Sequence, residues 1–223
     1  MSVVPGRLLT DPAWIAARID EMGRSWGTDV PRVAGTLWWC MVASALVGPI
    51  TSAYAAGRPA PVAALGEFDC EVRPDGGVEH VGFHRVPVDA DGRAVRSDVG
   101  GERGAGAAEE VGDALRATLA AVIAQVAAVS GAGMPALWAI VADAVGNRAL
   151  DVGAPEVGAR LAADVGSRLI PPRFVTVGAR TFVKRISCCL VYEVRGCQMC
   201  TSCPKRPAAE RAELLAGLAG PSS

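Results

Sequence analysis

The chain has 223 residues, is 51% hydrophobic and carries a formal net charge of -1. It is long enough to bury a sizeable core, so disorder along most of its length is excluded. The charge gives no overall attraction to nucleic acid or to an anionic membrane, because both need a basic excess.

From the N-terminus, MSVVPGRLLTDPAW has no unbroken apolar run ahead of a small-residue cleavage site, so no signal peptide is expected and the protein is read as cytoplasmic. Thr10-Asp11-Pro12 starts a helix that should run to Met22, with a capping side chain ahead of a proline at the first helical position. Asp29 and Pro31 open a second helix through Trp38, Trp39, Cys40 and Met41 to Val47, where Gly48-Pro49 should end it. It is apolar on nearly every face and is therefore expected at the centre of the fold. Trp38 and Trp39 are read as core, with the wall of a ligand pocket as the other reading.

Between Phe68 and Val88, FDCEVR and VEHVGFHRV flank Pro74-Asp75-Gly76-Gly77, which is a hairpin signal. His80 and His84 fall in this hairpin; four residues apart on a strand is about 13 Å, too far to share a metal. The polar stretch from Asp89 to Gly106 reads as a solvated connection, its GERGAG run lacking the spacing of a nucleotide loop. Helices follow from about Ala108 to Val129, Pro135 to Leu150 and Pro155 to Leu169. Two uncharged runs, Val33 to Gly57 and Ala117 to Ala142, are long enough to span a membrane. Their glycines, prolines and alanine-rich content favour buried helices of a soluble core.

Pro171-Pro172 then divides the chain into a mostly helical domain, residues 1–172, and a cysteine-rich module, residues 173–223. In the module, RFVTV and CLVYEV have the content of strands, and Ala208 to Leu218 that of a short terminal helix. The expected class is α+β: a mostly α-helical domain, a small antiparallel β component and a C-terminal metal module. Charge divides the same way. Residues 1–172 hold 14 Arg against 20 Asp or Glu, whereas residues 173–206 hold seven basic residues against Glu193 alone. That basic stretch offsets clustered thiolates, suits an anionic ligand and would also permit peripheral membrane contact.

Five of the seven cysteines lie in ISCCLVYEVRGCQMCTSCPKRP. In a reducing cytoplasm such a cluster binds metal rather than forming disulfides. Cys40 and Cys70, far upstream, read as buried apolar residues. One ligand set takes Cys197, Cys200 and Cys203, a C-x2-C-x2-C run like part of a 4Fe-4S motif, although the expected fourth cysteine is replaced by Pro207. Another is a four-cysteine structural zinc site, for which the adjacent Cys188 and Cys189 make an awkward pair. Neighbouring residues of a strand face opposite ways, so if both reach one centre, Ser187 to Leu190 must bend. No G-x-S-x-G or H-E-x-x-H occurs, and the two histidines exclude a Rieske-type centre.

The third set is the adjacent Cys188 and Cys189 followed, after ten residues, by Cys200 and Cys203. With SCC, Val191-Tyr192, CTSC and Arg185 just upstream, it resembles the C-terminal module of FhuF-like ferric-siderophore reductases. The extra Cys197 departs from that pattern. The resemblance implies a 2Fe-2S cluster on Cys188, Cys189, Cys200 and Cys203 and one-electron reduction of a ferric siderophore to release iron, with no acid or base residue as catalyst. It also implies an electron donor such as a ferredoxin or flavin reductase. Arg180, Lys184, Arg185 and Arg195 are candidate contacts for the chelate. A non-enzymatic electron carrier or sensor would use the same ligands; a zinc-stapled binding module would not be redox-active.

Overall fold

The computed structural model describes residues 1–95 and 102–220, with the backbone alone for 102–105. Strand β1, Ser2–Pro5, leads through a 3-10 turn at Gly6–Thr10 into α1, Pro12–Trp26. The Asp11 carboxylate accepts from the Trp14 amide at 2.8 Å and Pro12 occupies the first turn, so the expected cap is present. Gly27, at φ 71°, ends the helix in the left-handed region.

Helix α2 runs Pro31–Ala55, capped at Val30 rather than Asp29, and passes straight through Pro49. The expected break at Gly48-Pro49 does not occur. Leu46, Val47, Ile50, Ala53 and Tyr54, on both sides of the proline, are buried in the core. Burial on that scale outweighs the roughly 3 kcal/mol that an internal proline costs. The Thr51 hydroxyl donates to the Val47 carbonyl at 2.8 Å within the same turn.

Strands β2, Phe68–Val72, and β3, Val78–Phe83, form the expected hairpin, and β1 adds to it in the antiparallel order β1-β2-β3. Helix α3, Glu102–Ser130, starts earlier than the polar sequence suggested. Of the glycine-rich run read as a loop, Gly101 lies outside the described residues and Glu102 onward is helical. Helix α4 spans Met134–Asp151 and α5 Pro155–Val165; Gly166, at φ 89°, stops α5 short of Leu169. Helix α2 packs against α1, α3, α4, α5 and β3, which makes it the centre of one core. Trp38 and Trp39 are fully buried there, donating to the carbonyls of Gly76 at 2.9 Å and Leu137 at 2.8 Å. They are core, and the pocket-wall reading is set aside. Two helical segments, Pro31–Ala55 and Gly106–Ser130, are long and apolar enough to cross a membrane; 67% and 44% of their apolar windows are buried in this fold.

After α5, β4, Phe174–Val177, and β5, Arg180–Val183, form a second hairpin, and the chain ends in α6, Ala208–Ala219. CLVYEV, expected as a strand, instead holds a 3-10 turn at Val191–Glu193; the partner of β4 is β5. The hairpin base is seated by two glycines. A Cβ at Gly146 of α4 would stand 3.1 Å from the Val183 side chain, and one at Gly158 of α5 would stand 2.8 Å from Pro172. Without side chains there, β5 lies directly on α4. The class is α+β, as the sequence indicated.

Candidate metal centre

The cysteine loop is fixed from the helical side by one buried carboxylate. Asp143 of α4 is 4% exposed and lies among Val141, Ala142, Ala144 and Val145. Its Oδ1 accepts from the Ile186 amide at 3.0 Å; its Oδ2 accepts from the Ser187 amide at 2.9 Å, the Ser187 hydroxyl at 2.5 Å and Arg185 Nε at 3.3 Å. Four donors satisfy a charge that burial would otherwise make very costly, and they fix the backbone immediately before Cys188. Sequence reading passed over Asp143. Its signal was a lone acid at the end of a long uncharged helical run, at a position whose neighbours along the helix are all apolar.

Beyond Ser187 the chain bends, as two adjacent ligands would require. Leu190 has φ 63°, the left-handed region, which costs a branched residue about 1–3 kcal/mol. Its side chain joins the hydrophobic core with Val194, which offsets that cost. The bend brings Cys188 Sγ within 3.7 Å of Cys203 Sγ and sets Cys189 beside Cys200. Each adjacent cysteine thereby faces one member of the C-x2-C turn, which is closed by the Cys203 amide donating to the Cys200 carbonyl at 3.1 Å.

Residues after the turn hold it in place. Arg206 Nε donates to the Cys200 carbonyl at 3.0 Å, and another of its nitrogens to that of Met199. Arg211 of α6 donates to the Cys203 carbonyl at 3.3 Å. Across the module, Glu193 pairs with Arg32 of α2 at 2.6 Å, and Lys205 donates to the Tyr192 hydroxyl at 2.5 Å.

Arg185 is the polar contact between helical domain and thiols. Paired with Asp143, it also donates through Nη1 to Cys200 Sγ at 3.5 Å. Cys189 is held well below the ordinary thiol range, first because Cys200 donates to it and also because Arg185 is near; Cys200 is pushed up by the same shared proton. Burial raises Cys188. Burial, aided by the neighbouring Cys189, pushes Cys40 up to about 12 against the lowering effect of Arg185, and burial raises Cys70, inside β2, to about 12 as well. Those two thiols stay protonated and read as packing residues. Cys197 borders the core, outside the sulfur contacts joining the other four.

Of the cations named from sequence, Arg185 is therefore turned inward. Arg180, Lys184 and Arg195 are exposed, and Arg180 donates to the Leu218 carbonyl at 2.7 Å. His84 stands 3.3 Å from Asp69 on the first sheet and takes no part in the site.

Four thiols thus stand in two facing pairs beside Arg185, a donor set suited to metal. Two thiolates on one tetrahedral metal with bonds of about 2.3 Å stand about 3.8 Å apart; the 3.7 Å between Cys188 and Cys203 fits that spacing. Among the described residues no group of three or more His, Cys, Asp or Glu side chains is arranged to hold a metal ion. Two pairs suit a centre of two metals better than a single ion bound by four ligands.

Residues 185–205 match the family model of the FhuF 2Fe-2S C-terminal domain. The cysteine segment is thus similar to that 2Fe-2S domain, and the cofactor is a 2Fe-2S cluster. The matched segment lies wholly inside the module and includes none of the helical domain. No curated protein matches the chain at a significant level.

Proposed function

We propose that the protein is a cytoplasmic ferric-siderophore reductase, with Cys188, Cys189, Cys200 and Cys203 as cluster ligands. The observation that carries the assignment is the pairing of Cys188 with Cys203 and Cys189 with Cys200 inside the matched segment. A bound 2Fe-2S cluster supplies single electrons at a potential set by its charge and by hydrogen bonds to its sulfurs. The residues around it serve that chemistry. Arg185 donates to Cys200 Sγ and offsets thiolate charge, while Asp143 fixes Arg185 and the backbone up to Ser187. One electron converts ferric iron, held by hard oxygen donors, to ferrous iron, for which such chelators have much lower affinity, so the metal leaves. No proton transfer is needed in that step. A ferredoxin or flavin reductase would return the electron.

The test is a single turnover. Protein reduced anaerobically with dithionite and freed of excess reductant is mixed with ferric siderophore and a ferrous-specific chromogenic chelator. About one ferrous ion per cluster should appear as the visible absorbance of the oxidised protein returns. Persistence of the reduced spectrum beside ferric siderophores, with normal re-oxidation by an artificial acceptor, would instead favour an electron carrier or sensor.

A further inference from the structure

Two cavities, of about 400 and 190 Å³, share Ser44, Arg148 and Asp151 and therefore form one groove between α2 and α4. Its outer end is lined by Ser52 and by Glu79 and His80 of β3. Its inner end is lined by Cys40, Asp143, Asn147 and Arg185. Arg185 is the residue that donates to Cys200 Sγ at 3.5 Å, so one guanidinium separates the inner end from a cluster ligand. A larger hollow at the α1–α2 turn, lined by residues such as Asp20, Arg24 and Thr28, includes no residue that contacts a cluster thiol.

Arg148 lines both parts of the groove and pairs through Nη2 with Asp151 at 2.9 Å; its side chain is 43% exposed, so a ligand in the groove can reach its guanidinium. At the inner end, Arg148 and Arg185 are matched in number by Asp143 and Asp151, so the formal charges cancel. Ser44 and Asn147 add neutral polar groups.

We propose that the α2–α4 groove is the seat of the ferric chelate, with Arg148, Asn147 and Ser44 meeting its oxygen atoms and Arg185 lying between it and the cluster. The proposal rests on the reductase reading above. It places the substrate in a cleft where Arg148 and Arg185 face Asp143, Asp151 and Glu79, rather than on the exposed cations of the module, and so favours chelates of little net charge over polyanions. Electron transfer falls off steeply with distance, and the groove's inner end is only one side chain from a ligand sulfur. In the step itself, ferric iron gains one electron, the reduced protein loses one, and a one-electron donor of the ferredoxin or flavin-reductase class restores it.

The test uses cluster-loaded protein and two probes, an uncharged ferric trihydroxamate and its redox-inert gallium(III) analogue. Gallium binding is measured by calorimetry and ferric reduction by steady-state kinetics, with the visible spectrum reporting cluster content. Ser44→Phe, which fills the groove where its two parts join, and Arg148→Gln, which removes the guanidinium without adding bulk, should each weaken gallium-complex binding and raise KM by about tenfold at unchanged cluster content. Asp20→Asn, in the other hollow, should change neither. Ferric citrate, a polyanion, should be the poorer substrate of the wild type. Wild-type binding and KM in both groove variants, with the wild type active, would overturn the groove assignment and leave the reductase reading intact. Cluster-loaded wild type that reduces no ferric chelate would overturn that reading first.

Discussion

The helical domain and the C-terminal module hold their shapes by different means. Helix α2 is enclosed by α1, α3, α4 and β3, and its two indole N–H groups are satisfied by carbonyls of the same domain. In residues 173–220 the buried side chains are few: Val183, Ser187, Leu190, Val194, Cys203 and Leu215. The module is held instead by directional contacts, from Asp143 on one side and from Arg206 and Arg211 on the other. A core built from apolar area tolerates loss of a polar contact, whereas a loop built from hydrogen bonds and thiol pairs depends on each and on the metal they surround.

The largest expected effect breaks the module alone. Serine at Cys188, Cys189, Cys200 or Cys203 should abolish the visible spectrum and the iron-sulfide content of about two each per chain, because each iron needs two thiolates. Serine at Cys197, Cys40 or Cys70 should leave both nearly unchanged. Loss of the cluster in Cys197→Ser with retention in Cys188→Ser would identify a different ligand set. Stripping iron with a chelator should leave the far-ultraviolet helical signal nearly intact, since the helices bury their apolar faces against one another.

Asp143→Asn should affect both regions. It leaves Arg185 unpaired in a largely buried position and sets an amide N–H₂ against backbone donors, at a cost of about 3 kcal/mol. Iron release to a chelator should accelerate by about tenfold or more, the usual consequence of losing a partner that orients a ligand shell. A variant that loses stability while holding iron as tightly as wild type would show that Asp143 only packs.

Trp39→Phe should do the converse. It removes the donor to the Leu137 carbonyl and leaves a small void, at a cost of about 2 kcal/mol in chemical denaturation, while the cluster spectrum stays unchanged. A shifted spectrum would mean that the two regions are coupled more tightly than their contacts indicate.

What could be read from the sequence follows the same division. The Asp11 cap, the Pro74–Gly77 hairpin, α4, α5 and α6 were legible because capping, turn chemistry and periodicity are local. The bend at Ser187–Leu190 was legible from chemistry, since adjacent ligands rule out a regular strand. What escaped was decided by tertiary contact. The four residues of β1 are ordered by pairing with β2, and α2 continues through Pro49 because both flanks are buried. CLVYEV has strand composition, but Leu190, at φ 63°, turns its backbone into a 3-10 turn. Asp143 and Arg185 lie 42 residues apart in sequence, and no local pattern joins them.

The smallest expected effect is a pH dependence confined to the helical domain. Asp164 of α5 accepts from the Tyr54 hydroxyl at 2.7 Å. Burial raises its carboxyl above the ordinary carboxylate value, against the lowering effects of that hydrogen bond and of Arg160. When the folded value lies above the unfolded one, the contribution to stability is fully present below the unfolded value and is lost as pH rises through the folded value. At neutral pH the wild type therefore carries a partly desolvated charge that asparagine would not, while an asparagine carbonyl would still accept from Tyr54. In denaturant titrations from about pH 4 to neutrality, Asp164→Asn should gain on the wild type as pH rises from the unfolded carboxylate value through the folded one and be at least as stable at neutrality, with the cluster spectrum identical wherever the cluster is retained. A variant that loses ground with rising pH would show that the carboxylate form is the one the fold favours.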